Sequence, residues 1–174
     1  MPTSTKLMPG TSAPELTIKT IEGKTWSLEN QAPENFTMVV FYRGLHCPIC
    51  KTYLEELNPK LDHFAKLGVE SIVISGDSQE RADTTRAEWD IPALTVGYDF
   101  SIEDMRRWGL YISKGAAEKE PPLFGEPGLF LIRPNQEIYY IALNNAPFAR
   151  PTFDDLLSGL DFILQKDYPT RGTE

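Results

Sequence analysis

Cysteine is scarce in this chain, with two among 174 residues, and histidine is equally scarce, also with two. So few sulfurs exclude a disulfide framework, and a four-ligand zinc set would need both Cys and both His to converge on one point. Cationic residues are outnumbered: Lys and Arg total 17 against 25 Asp and Glu, for a net charge of -8 and a pI near 4.8. A nucleic-acid or anionic-membrane partner is therefore excluded, because phosphate binding needs a basic stripe. Long apolar runs are missing too. The longest, Phe36 to Tyr42, is far short of the about 20 residues that cross a bilayer. Residues 1–7 lack the apolar run of a secretory signal, which predicts a cytoplasmic protein. What is present is a 41% apolar composition, enough for a core without metal or disulfide staples. One domain over residues 1–174 is expected, with residues 1–14 as an irregular arm rich in Pro and small polar residues.

The hydrophobic pattern predicts an α/β fold. Glu15 to Lys19 and Lys24 to Ser27 flank the turn signal Glu22-Gly23 and suggest an N-terminal hairpin. Phe36 to Tyr42 reads as a central strand buried on both faces, and Val69 to Ser75 as a second. Between them the period becomes helical: Cys50, Leu54, Leu57, Leu61 and Phe64 share one face. Pro59 should kink that helix near Glu55, and Gly68 should end it. Asp77-Ser78 can cap a helix running to about Trp89, followed by a short strand at Leu94 to Gly97 and a helix from Ser101 to Trp108. Residues 113–127 carry Gly115, Pro121-Pro122, Gly125 and Pro127 and read as a surface loop or insertion. Leu129 to Ile132 and Glu137 to Leu143 form an antiparallel pair across Pro134-Asn135. Thr152 to about Gln165 is an amphipathic helix offering Leu156, Leu157, Leu160, Ile163 and Leu164 to the core. The order implies a mixed central sheet with helices on both faces.

Both cysteines lie in Cys47-Pro48-Ile49-Cys50, where the central strand hands over to its helix. Reaction sites of open α/β sheets gather at such carboxyl ends. A thiol must ionise to attack, and the unpaired N–H groups and positive dipole end of a helix N-terminus favour thiolate. Cys47 sits at the cap or first turn and Pro48 suits the first helical position. Cys47 is thus expected to be the exposed nucleophile and Cys50, which opens the apolar stripe, the buried resolving thiol. A metal reading fails on geometry, since His63 stands about 20 Å along the helix from Cys50. No metal and no cofactor is expected. Arg43 can stabilise thiolate and the developing charge on a leaving group. His46 can add charge or shuttle a proton. For each of these two, a solvent-facing loop residue is the alternative.

Met8-Pro-Gly-Thr-Ser-Ala-Pro-Glu-Leu through Trp26-Ser-Leu28, together with Phe41-Tyr-Arg-Gly-Leu-His-Cys-Pro-Ile-Cys50, resembles the peroxiredoxins, the alkyl hydroperoxide reductase and thiol-specific antioxidant family. The resemblance spans about Met8 to Gln165 and implies a thioredoxin-like fold. It also implies that Pro127 follows a cis bond beside the dithiol and meets substrate, and that Arg150 positions peroxide and thiolate. The usual family register, Pro-x-x-x-Thr-x-x-Cys, would put Arg43 at the Pro, Cys47 at the Thr and Cys50 at the attacking Cys. Helix position favours Cys47 instead. The expected function is thiol-dependent peroxide reduction through a Cys47/Cys50 dithiol–disulfide cycle, served by a thioredoxin- or glutaredoxin-like reductant. Thiol–disulfide exchange on disulfide substrates and a redox switch without turnover are the alternatives. A homodimer is the candidate assembly.

Overall fold

A computed structural model of the chain describes residues 6–174. Nine strands and five α-helices follow one another along these residues. β1 (Thr17–Thr20) and β2 (Thr25–Ser27) form the expected N-terminal hairpin. β3 (Phe36–Phe41) is buried along its whole length, as a β-branched and aromatic run in mid-sheet must be. It pairs in parallel with β4 (Val69–Ile74), which pairs in parallel with β5 (Val96–Tyr98). On its other edge β3 pairs antiparallel with β8 (Gly128–Ile132), and β8 with β9 (Ile138–Leu143). With β1 joined antiparallel to β5, the sheet has seven strands in the order β2-β1-β5-β4-β3-β8-β9. This is the mixed central sheet read from the sequence.

Side chains alternate across the sheet and build two apolar layers. Met38, Val40, Val73, Leu129 and Leu131 face α1 (Pro48–Leu57), α2 (Leu61–Lys66), α3 (Gln79–Glu88) and α5 (Phe153–Lys166). Val39, Phe41, Ile72, Ile74 and Phe130 face α4 (Ile102–Arg107) and the N-terminal segment around Leu16 and Ile18. Helices thus cover both faces. At about 25 cal/mol per Å² of apolar surface removed from water, these layers supply the main term that holds the sheet.

Three local expectations need correction. The helix expected to run unbroken with a kink is two helices, α1 and α2, joined by a 3-10 turn at Asn58–Lys60. Pro59 has no N–H for the helical ladder and its ring crowds the carbonyl four residues back. Residues 113–127 are not a plain loop. β6 (Ile112–Lys114) and β7 (Leu123–Gly125) pair antiparallel, and Phe124 is buried beside the site described below. The arm, which carries no helix or strand where it is described, is held to the start of β9: the Gly10 and Ala13 N–H groups donate to Ile138 and Gln136 carbonyls at 2.7 and 2.8 Å. In α5, Leu164 faces solvent, while Phe153, at the other end of the helix, is buried in the core.

Candidate active site

β3 ends at Phe41, and residues 42–46 turn the chain into α1. Gly44 has φ +137°, and a Cβ there would stand 2.7 Å from the Asp77 carboxylate, so only glycine suits the position. That carboxylate accepts the Leu45 N–H at 2.8 Å and the Arg81 Nε–H at 3.1 Å, tying the turn to the start of α3. Cys47 leaves the turn with extended backbone (φ -108°, ψ 100°) and becomes the N-cap of α1, with Pro48 first inside the helix. Its Sγ accepts the Cys50 N–H at 3.1 Å. A sulfur therefore occupies the place a capping hydroxyl takes elsewhere.

Cys47 is 1% exposed and Cys50 is fully buried. The expectation of an exposed Cys47 is corrected: its side chain turns back to cap the helix, which covers it. Both cysteines are free thiols. Cys47 nonetheless lines a cleft of about 590 Å³ with Leu45, His46, Pro48 and Trp89 among its walls. The Cys47 pKa is lowered to about 6. The main cause is a hydrogen bond from the Cys50 thiol; burial opposes it, and the Cys50 N–H and the charges of Arg150 and Arg43 help it. Cys50 is pushed the other way, chiefly by burial and then by its bond to Cys47. Environment thus separates two identical groups into a thiolate and a thiol at neutral pH.

Arg150, 100 positions from Cys50 in the chain, donates to the Cys50 Sγ from Nη2 at 3.4 Å. Its guanidinium lies 4.2 Å from the centroid of the Tyr53 ring, whose hydroxyl donates to the Pro151 carbonyl at 2.6 Å. Ala149, just before it, adopts φ +61°, and the Asn144 side-chain amide holds the Ala149 carbonyl at 3.0 Å. The Nη1 of Arg150 is buried without a hydrogen-bond partner among the described residues.

Arg43 is held differently from the sequence expectation. Its Nη2 and Nε donate to the Glu126 carboxylate at 2.9 and 3.0 Å, Glu120 lies 3.7 Å away, and the guanidinium stands over Phe124. Its charge acts on Cys47 from a distance, while its backbone N–H serves Cys50. His46 lines the cleft beside Cys47, its ring edge against Phe124 at 4.8 Å. Burial lowers its pKa, and both ring nitrogens are buried without partners among the described residues. Pro127 is buried, but the bond before it is trans, for no cis peptide occurs among the described residues. The Glu126 N–H bonds the Tyr111 carbonyl and the Pro127 carbonyl accepts the Asn144 N–H, so the chain runs extended into β8. That course suits the ordinary trans isomer. His63 is exposed on α2, away from the sulfurs.

Sequence reasoning missed the Glu126 carboxylate, which is 2% exposed and also accepts from Ser113 Oγ at 2.7 Å. It missed Tyr53 and Asp77 as supports as well. Tyr53 carried a signal, standing three residues after Cys50 on the helical face. Glu126 carried none, being 83 positions from Arg43. Among the described residues no cluster of three or more His, Cys, Asp and Glu could hold a metal ion, and no helix is long and apolar enough to cross a membrane.

A dithiol at the junction of a central strand and its helix, on a mixed sheet of this order, defines a thiol redox protein of thioredoxin-like fold. The AhpC/TSA family model matches residues 9–141, and the chain belongs to that family. Family membership supports thiol-dependent peroxide reduction. The chain is similar in structure to a peroxiredoxin-like protein from Aquifex aeolicus, with TM-score 0.73 and 21% identity over 91% of this chain and 89% of that one. It is also similar to AhpC from Mycobacterium tuberculosis (TM-score 0.73, 18% identity, 94% and 96% covered). The peroxidoxin BcpB of the same organism gives TM-score 0.72 and 13% identity over 91% and 99%. A comparison with curated proteins returns no match.

Proposed function

We infer that the protein is a thiol peroxidase in which Cys47 attacks and Cys50 resolves. The Cys47 thiolate displaces the near oxygen of the peroxide, the O–O bond breaks, and the departing oxygen leaves as water or an alcohol after gaining a proton. Cys47, oxidised by two electrons, is then a sulfenic acid. The Cys50 sulfur, one turn further on, attacks it and expels its oxygen as water, leaving a Cys47–Cys50 disulfide. Two electrons from a thiol reductant of thioredoxin or glutaredoxin type restore the pair.

The observation that carries this reading is the sulfur N-cap: Cys47 Sγ accepts a backbone N–H at 3.1 Å while lining an open cleft. Arg150 supports it in two ways. One nitrogen bonds Cys50, and the other has no partner and is free to meet developing negative charge. His46, with unpartnered nitrogens beside the cleft, is available to pass a proton to the departing oxygen. Pro127 contributes by packing and not by a cis carbonyl geometry. A cytoplasmic setting belongs to this reading because a resting dithiol needs a reducing compartment. So does a homodimer, which would cover the exposed Tyr111, Leu143 and Phe148.

Stopped-flow mixing of the reduced protein with hydrogen peroxide, followed by the fluorescence of Trp89 in the cleft wall, tests the proposal. Fast loss of both thiols with peroxide and slow reaction with a small disulfide is the expected result. The reverse order of rates would make the protein an exchange enzyme, and reaction with neither would leave a switch.

A further inference from the structure

Cys47 is 1% exposed, yet it lines the cleft of about 590 Å³. A thiol that reduces it must reach down with a narrow sulfur-bearing arm. A small flexible thiol can do so without moving the walls. The volume falls within the range of about 300–1,000 Å³ usual for small-molecule sites and far exceeds what a two-oxygen peroxide fills. Nor do the walls suit a fatty chain. Lys51, Glu88, Glu118 and Lys119 line the cleft around the indole of Trp89. Lys51 is engaged with Glu55 at 3.1 Å. Among the described residues, Lys119, Glu118 and Glu88 make no ion pair. The cleft therefore offers an uncommitted cation and two uncommitted carboxylates within reach of a reactive sulfur. A ligand bearing both carboxylate and ammonium groups complements both signs at once.

We propose that this cleft binds a small zwitterionic peptide thiol of the glutathione type, which reduces the Cys47–Cys50 disulfide directly. The proposal rests on the dithiol cycle set out above and adds a donor site to it. Cys50 is sealed from the cleft, so the ligand thiolate attacks Cys47 Sγ and forms a mixed disulfide there. The Cys47–Cys50 bond breaks and its electron pair leaves with Cys50, whose thiolate emerges against Arg150 Nη2 and the Arg43 N–H before taking a proton from water. A second ligand thiolate attacks the ligand sulfur of the mixed disulfide. Cys47 departs as thiolate and the ligand leaves as its own disulfide. Two ligand thiols lose two electrons in all and the protein disulfide gains two.

The test uses the full chain oxidised by diamide, so that the disulfide is made without peroxide. Its reduction is followed against concentration of glutathione, glutathione ethyl ester and 2-mercaptoethanol at matched thiolate. The expected result is a rate that saturates with glutathione and stays linear with 2-mercaptoethanol, the ester binding more weakly. Lys119→Glu should raise the half-saturating glutathione concentration about five-fold with the limiting rate within about two-fold, as loss of one partly exposed charge contact implies. A linear glutathione response no faster per thiolate than 2-mercaptoethanol would overturn the proposal, as would Lys119→Glu without effect on half-saturation. A parallel arm with peroxide keeps the two readings apart: saturable reduction by glutathione in a protein whose dithiol ignores peroxide would sustain the donor site and remove the peroxidase.

Discussion

Four helix N-termini of this molecule share one geometry and differ in one atom. Ser78, Ser101 and Thr152 each place a hydroxyl oxygen to accept the N–H three residues on, at 3.3, 3.0 and 3.1 Å. Cys47 does the same with sulfur at 3.1 Å. Where the cap is a hydroxyl, the first turn also carries acids: Glu80 in α3, Glu103 and Asp104 in α4, Asp154 and Asp155 in α5. In α1 the first turn carries none. Acids at a helix start offset its positive end. At α1 that positive end is left for the sulfur, which becomes the counter-anion. The same local device stabilises three helices and, at the fourth, prepares a nucleophile.

Giving α1 a hydroxyl cap like the others should produce the largest effect. At pH 6 or below, where the thiolate adds little to stability, Cys47→Ser should leave thermal stability within about 1 kcal/mol, since Ser is a good cap. It should also cut peroxide consumption by about 10,000-fold or more, the scale of losing a nucleophile. A melting curve and a peroxide-consumption assay on one preparation check both halves.

Next in size is Cys50→Ala, which removes the thiol that donates to Cys47 while keeping the backbone N–H. The Cys47 pKa should rise above about 6, by about one to two pH units, because a hydrogen bond to a charged group contributes ~1.5–3 kcal/mol. The ultraviolet absorbance of the thiolate followed against pH reads this directly. At an ordinary cap, Ser101→Ala should lower stability by about 1 kcal/mol in a denaturant titration and leave peroxide turnover unchanged. The smallest effect is the transplant of an acid. Ile49 is 45% exposed in the first turn of α1, and Ile49→Glu should raise the Cys47 pKa by about 0.2–0.7 pH units. An unmoved pKa would mean that the missing acids have nothing to do with the sulfur.

What the sequence could reveal divides along the same line between local and distant. Ser78, Ser101 and Thr152 were legible as helix starts because a cap and its N–H donor are three residues apart. β3 and β4 were legible because strands buried on both faces are continuous apolar runs. β6 and β7 were not: each has three residues, and Gly115 and Pro121-Pro122 between them read as loop. The two cysteines announced the site, and Arg150 entered through the family resemblance alone. Its contact with Cys50 joins positions 100 apart, as the Arg43–Glu126 pair joins positions 83 apart. No local pattern records pairings of that span. The resemblance also led astray at Pro127, where backbone bonds to Tyr111 and Asn144 hold the segment extended with a trans bond.

The lowered Cys47 pKa also fixes a sign for stability. A group whose folded pKa lies below its unfolded value, about 8.5 for a thiol, stabilises the fold above that unfolded value. For the reduced protein this contribution is complete above about pH 8.5 and is lost as pH falls through about 6.

The most direct measurement is site-resolved alkylation of the reduced protein from pH 4 to 10, with fragment mass spectrometry assigning the label to Cys47 or Cys50. Half-maximal labelling of Cys47 near pH 6, with Cys50 unlabelled at pH 9, is the predicted result. Labelling of Cys50 first, or of neither sulfur below pH 8.5, would contradict the assignment of the helix-capping sulfur as the nucleophile.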